Sequence, residues 1–210
     1  MNRSLKLTSA LMLAVALPAS AMAQDAWYPY PAQEVTPAFS ADGTVSDVTY
    51  TPLDAASQPW NICVSFPHMK DAYWLGVDYG VIDEAERLGV KLNVVEAGGY
   101  TELNTQISQI EDCVAGGADA VIIGAISYDG LNNVISEVAG QGIPVIDVIN
   151  GVSSSDIAAK SLVSFRTMGA ETGRYLAEKH PAGSDPVKVG WFPGPAGAGW
   201  VEAAHEGFMA

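Results

Sequence analysis

From residue 60 onward the chain alternates short apolar runs with longer stretches whose apolar residues recur every three or four positions. Runs at 60–66, 91–96, 118–124 and 144–149 read as strands. The third is almost wholly apolar, as a strand covered on both faces requires. Between them the spacing predicts helices. One spans 72–88, with Leu75, Tyr79, Ile82 and Ala85 as its expected core face and Gly89 as its stop. A second, capped by Thr101, carries Leu103, Ile107 and Ile110 and ends at Gly116 and Gly117. A third covers 131–139. A short strand is expected at 161–165, a helix at 168–179 closed by Pro181 and Gly183, a sixth strand at 187–192 and the start of a helix at 200–208. Strands and helices in strict alternation predict an α/β domain built on a doubly wound parallel sheet. The last helix has no stop signal, which reads as a truncated chain.

Ahead of this pattern lie two different segments. Residues 1–23 have a basic front (Arg3, Lys6), an apolar run over 10–17 and the small-x-small pattern Ala21-Met22-Ala23, the marks of a cleaved export signal. No later apolar stretch approaches the roughly 20 residues that span a bilayer, so the expected location is the periplasm. Residues 24–59 form an extension in which prolines and turn residues break every periodic run. Trp27 and Tyr28 suit an arm docked on the body or contacting a partner; a flexible leader is the alternative. The remaining 60–210 make up the sheet domain.

Charge narrows the partners. The chain holds 24 acidic residues against 10 Lys and Arg, a formal net charge of −14, and two of those cations fall in the export signal. Such a surface argues against nucleic acid. Cys63 sits in the first core strand and Cys113 near the end of the second helix, in a part of the chain where disulfides persist. A bridge between them is feasible, and two buried free thiols are the alternative. No Cys-x-x-Cys or His-x-x-x-His spacing points to a metal.

Open parallel sheets bind ligands at the carboxyl ends of their strands. Here those ends carry Tyr73 and Trp74, Tyr100, Tyr128 and Trp200. Aromatic faces attract methylated ammonium groups and stack on sugar rings. Each of the five suits a pocket wall, with packing at a helix start or a solvent-facing loop as the plainer reading. Asp71 is placed to touch a ligand or to cap its helix. His68, Lys70 and Arg166 are candidate donors to a ligand oxygen; a surface-loop histidine, a solvated cation and a salt-bridge partner are the respective alternatives. Asn150 offers both a donor and an acceptor. The glycine-rich run 194–199 lacks the Gly-Lys-Ser/Thr ending of a phosphate loop. No nucleophile motif surrounds Ser65 or Cys63, so neither catalysis nor a cofactor is expected.

Several separated stretches resemble one known group. They are residues 67–79, Glu96-Ala97-Gly98-Gly99-Tyr100, Gln109-Ile110-Glu111-Asp112-Cys113 and Pro193-Gly194-Pro195. Their order and spacing are similar to the ribose-type periplasmic binding proteins of the type 1 fold, and among these to a periplasmic protein associated with a trimethylamine N-oxide sensor. The resemblance implies a two-lobed protein of which this chain is the first lobe, with the second missing. It implies trimethylamine N-oxide as ligand, a membrane-bound sensor histidine kinase as partner, and a pairing of Cys63 with Cys113. It also places Tyr73 and Trp74 where the wider family has ring-stacking aromatics. The alternative is a binding protein that delivers a sugar or small amine to an ABC transporter.

Overall fold

The computed structural model describes residues 27–39 and 43–210, so the export signal expected at 1–23 lies outside the described residues. Five strands form one parallel sheet in the order β4 (Lys91–Glu96), β3 (Asn61–Phe66), β5 (Ala120–Ile123), β6 (Val145–Ile149), β7 (Ala159–Leu162). The order reverses at β3, which pairs with β4 on one side and β5 on the other. This is the doubly wound topology expected. Helix α1 (Ala72–Leu88) covers one face, where Val64, Phe66 and Trp74 pack with Val77 and Val81. Helices α2 (Leu103–Ala115) and α3 (Asn132–Gly140) cover the other, over Cys63, Ile110, Val121, Leu131, Ile135 and Val145. Cys63 of β3 and Cys113 of α2 form a disulfide across 50 residues, their Cα atoms 6.0 Å apart.

In the first half of the chain, three details differ from the sequence expectation. The buried face of α1 is Trp74 and Ala85, flanked by half-buried Val77 and Val81, whereas Leu75, Tyr79 and Ile82 are 52, 61 and 40% exposed. Both stripes are apolar at helical spacing, and only the sheet decides between them. Thr101 does not cap α2: Glu102 holds that position without a side-chain cap, and Thr101 Oγ1 donates to the Glu102 carboxylate at 3.0 Å. The extension is not irregular. It forms an antiparallel hairpin, β1 (Tyr30–Thr36) with β2 (Thr44–Tyr50), in a register that sets Tyr30 opposite Tyr50 and Val35 opposite Val45. Pro29, Pro31 and Pro37 sit in or beside an edge strand, where a missing N–H is tolerated. The arm is docked: Trp27 stacks on Tyr50 at 6.0 Å and donates its indole N–H to Glu84 of α1 at 3.2 Å, while the Arg87 guanidinium lies 5.4 Å from the Tyr28 ring.

Beyond β7 the expected strand at 161–165 ends at Leu162, and Phe165 instead opens α4 (Phe165–Lys179). The sixth strand expected at 187–192 is absent from the described residues. Val187, Val189 and Phe192 alternate suitably, but the stretch pairs with no strand edge and Phe192 is 92% exposed. Helix α5 (Gly199–Met209) packs on α4 through backbone-to-backbone contact. A Cβ on Gly169 would stand 2.0 Å from the Ala204 carbonyl oxygen, and one on Gly207 1.9 Å from that of Arg166. Only glycine permits that approach.

One charged pair in the sheet joins a buried acid to a half-buried base. Asp147 of β6 is 1% exposed, and its register partner in β7 is Lys160, whose ammonium lies 3.9 Å away. Burial pushes the Asp147 carboxyl above its ordinary value of 3.8, against the opposing pull of the Val152 amide and Lys160.

These packing relations make three predictions. Replacing Cys63 and Cys113 together by Ala should cost about 2–4 kcal/mol, read as a lowered urea midpoint relative to the oxidised protein. An unchanged midpoint would show that the bridge does not stabilise the fold. Gly76 and Gly80 of α1 have nothing within 4 Å of an added Cβ. Gly76→Ala and Gly80→Ala should therefore each raise stability by about 0.5–1 kcal/mol, while Gly169→Ala should lower it. The third concerns pH. Because the folded state holds the Asp147 proton more tightly than the unfolded chain, its contribution is fully present below the unfolded value of 3.8 and is lost as pH rises through the raised folded value. Thermal melts across that acid window should show this slope, and Asp147→Asn should flatten it.

Candidate ligand-binding site

The loops leaving the carboxyl ends of β3, β4, β5 and β6 converge with the start of α5. The β3 loop is organised by Asp71, whose carboxylate accepts the Trp74 N–H at 2.9 Å and so caps α1. Within that loop His68 Nδ1 accepts the Lys70 amide N–H at 3.2 Å, and Nε2 stands 3.8 Å from the Asp71 carboxylate. The Lys70 ammonium donates to the Gly98 carbonyl of the β4 loop. That loop turns through Gly98 and Gly99, whose φ values of 96° and 151° suit glycine.

Tyr100, next in the chain, is the hub. Its ring meets His68 edge-on at 5.4 Å and Trp200 at 6.1 Å, and its hydroxyl accepts the Asn150 amide at 3.0 Å. Phase by phase around this hub, Trp200 lies 5.6 Å from Phe165, and Tyr73 is close enough to Tyr100 to be influenced by it. The Tyr73 hydroxyl is held above its ordinary pKa, first by burial and then by Tyr100. Asn150 also donates to the Ala125 carbonyl at 2.7 Å, which joins the β6 loop to the β5 loop. Tyr128 ties β5 to the approach of α5: its N–H donates to Gly197 at 3.3 Å, its carbonyl accepts Ser153, and its ring lies where a side chain on Gly199 would fall.

The structure thus brings together His68, Lys70, Asp71, Tyr73, Tyr100, Tyr128, Asn150 and Trp200. Two candidates are placed differently. Trp74 is buried against Phe66 at 5.3 Å, with its indole beneath Gly124. Arg166 is exposed on α4 and pairs with Glu206 of α5 at 3.2 Å. Two residues were missed. Phe165, read as the end of a strand, joins the aromatic wall. Gln106 is fully buried and spans the β5 loop: it donates to Ser65 Oγ at 3.2 Å and the Gly124 carbonyl at 3.0 Å, and accepts the Ile126 N–H at 3.0 Å. A glutamine in line with Leu103 and Ile110 on an apolar helix face was the available signal. Concavities of about 570 Å³ on the hairpin (Pro31, Gln33, Asp47, Thr49) and about 250 Å³ between α2 and α3 include none of these residues. Among the described residues no cluster of His, Cys, Asp and Glu is arranged to hold a metal.

Comparison with known proteins places this arrangement. Residues 62–210 match the periplasmic binding protein domain. The chain is 37% identical over 182 residues to the periplasmic protein TorT of Escherichia coli K12, covering 83% of this chain and 52% of that protein. A crystal structure of an ABC transporter solute binding protein from Bradyrhizobium sp. BTAi1 with bound Bis-Tris is 75% identical, with a TM-score of 0.75 over 88% of this chain and 55% of that one. The crystal structure of the TorS sensor domain–TorT complex in the absence of ligand is 36% identical, with a TM-score of 0.63 over 71% of this chain and 52% of that one. The chain spans about half the length of the curated relatives it matches most extensively. The matched residues take in the sheet almost entirely and the wall it carries, and the protein is a periplasmic one that belongs to the periplasmic binding protein domain family.

Proposed function

We propose that the protein is a ligand-binding sensor component that holds a small methylated amine oxide, trimethylamine N-oxide, against the wall of Tyr100, Trp200, His68 and Phe165, and that it engages the extracytoplasmic domain of a membrane sensor histidine kinase. The observation that carries the reading is the aromatic cluster at the strand ends, centred on Tyr100. A methylated nitrogen with formal positive charge suits aromatic faces, which supply about 0.5–2 kcal/mol each according to desolvation. The ligand oxygen needs a donor. Lys70 directs one of its three donors to the Gly98 carbonyl, and Arg166 lies exposed on α4 against Glu206. In His68, Nδ1 accepts an amide N–H, so in the neutral ring the proton resides on Nε2, 3.8 Å from the Asp71 carboxylate, in a ring that meets Tyr100 edge-on. His68 Nε2–H is the donor this arrangement favours. The likeness to TorT, and to a TorT held in complex with the TorS sensor domain, supports the kinase as partner. Bis-Tris, bound in the relative from Bradyrhizobium, is a tertiary amine that also carries five hydroxyls, so it fits an amine or a polyol as ligand class.

The family binds ligands rather than transforming them, and the proposed mechanism is a population shift. Ligand stabilises the conformation it binds more tightly, and the kinase reads the altered surface. A second reading, delivery of a sugar or small amine to an ABC transporter, is favoured by the description of that same relative as a transporter solute binding protein.

The test is calorimetric titration in phosphate buffer with trimethylamine N-oxide, Bis-Tris and ribose. Saturable binding of the amine oxide is expected, weakened about tenfold by Tyr100→Ala, which corresponds to about 1.4 kcal/mol. His68→Ala should weaken the amine oxide more than an amine that lacks the oxygen. Binding of ribose alone would overturn the sensor reading in favour of sugar delivery.

A further inference from the structure

The turn that delivers Asn150 to the site is held in a backbone conformation its sequence does not favour. Ile149 has φ of 70°, a left-handed conformation in which a β-branched residue is an outlier. Gly151 follows at φ 84°, where glycine is at ease. Between them, the Asn150 amide donates to the Ala125 carbonyl at 2.7 Å and the Tyr100 hydroxyl at 3.0 Å. The unusual turn and the placement of the aromatic hub are therefore one arrangement. Such outliers persist only where the surroundings over-determine them.

What surrounds this one is the charged pair. Asp147, two residues before Ile149, accepts the Val152 N–H at 2.9 Å. Lys160 donates to the Val152 carbonyl at 2.6 Å. Both poles of the Val152 residue are gripped, one from β6 and one from β7, and Asp147 and Lys160 face each other across the ladder. The Phe39 ring, 5.8 Å from the Lys160 ammonium, lies over the pair from the hairpin loop. A buried ion pair is weak evidence for stability, since two apolar residues often serve a fold as well. Its attested use is to specify one arrangement over others.

We infer that Asp147 and Lys160 are positioning residues of the ligand site: by clamping Val152 they hold the turn at 149–151 left-handed, aim the Asn150 amide at Tyr100, and so preset the aromatic wall. The final step rests on the ligand reading proposed above; the clamp itself does not.

Two readouts separate the two. The first is the side-chain amide resonances of Asn150 in the unliganded protein, assigned by their loss in Asn150→Asp. The second is affinity for trimethylamine N-oxide and Bis-Tris. In the wild type and in Lys160→Arg the Asn150 amide protons should be displaced from random-coil positions and slow to exchange. In Lys160→Met they should move to random-coil positions. If that variant leaves about one molecule in ten preset, apparent affinity for the probe falls about tenfold. Should Lys160→Met fail to fold, Asp147→Asn attacks the pair from β6 and must move the same resonances. A folded variant with unchanged Asn150 resonances overturns the clamp. Moved resonances with unchanged affinity overturn the presetting of the wall. If neither probe binds the wild type, the ligand reading falls, and the Asn150 resonances still decide the clamp.

Discussion

The structure depends on β3 being hydrogen-bonded along both edges. Because β4 lies on one side and β5 on the other, the chain must leave the carboxyl end of β3 in one direction and return from the opposite side of the sheet. The two faces are then covered by different helices, and the loops after β3 and β5 diverge to leave a crevice between them. Each residue of the strand serves that position. Cys63 and Val64 are fully buried on opposite faces. Cys63 is bonded to α2, which secures one layer covalently, and Phe66 packs on Trp74 of α1, which secures the other. A strand so constrained gives the loop 67–71 a rigid origin. That is why a chain of small polar contacts there, from Asp71 to Trp74 and from Lys70 to Gly98, can set directions for His68 and Tyr100.

Much of this was legible in the sequence, for identifiable reasons. Strands buried on both faces read as apolar runs, and glycines mark where helices stop. The convergence of the aromatics was legible because topology brings the strand ends together, so aromatics recurring there stand out. Failures came where two answers satisfy the same local rule. Leu75, Tyr79, Ile82 and Ala85 are as good a helical stripe as Trp74, Val77, Val81 and Ala85, and the choice belongs to the sheet. The alternation at 187–192 is a sound strand pattern, but a strand exists only with a neighbour to pair with. The prolines near β1 stop a helix or a central strand without stopping an edge strand, which is how the hairpin was missed.

Residues that act through another residue were the least legible. Arg166 reads as a ligand contact or a salt-bridge partner, and Glu206, 40 positions later, decides for the second because α4 and α5 cross at glycine contact. Asp147 and Lys160 are unremarkable in sequence. They become partners only through the β6–β7 register, which sets them opposite each other across the ladder. Gln106 differs, since a fully buried amide must find its hydrogen bonds somewhere, and in a parallel sheet the unpaired groups are at the strand ends.

The aromatic wall also has to be reconciled with an acidic protein. A net charge of −14 favours approach of cations, but it neither discriminates among them nor steers an amine oxide, which is neutral overall. Discrimination has to come from shape and from what the site denies its ligand. Asp71 in the β3 loop accepts the amide of Trp74 with one carboxylate oxygen and holds the other 3.8 Å from His68 Nε2. Under the proposed reading a methylated nitrogen needs only the apolar and π surface that the wall supplies, whereas an ammonium needs several charged or carbonyl acceptors around it. The amine oxide adds one strong acceptor to that nitrogen, and a single well-placed N–H is enough to meet it. Under the proposed reading the wall meets the methylated nitrogen and one N–H meets the ligand oxygen, and the hydrogen bonds from Asn150 to Tyr100 and Ala125 matter because they fix that wall before a ligand arrives.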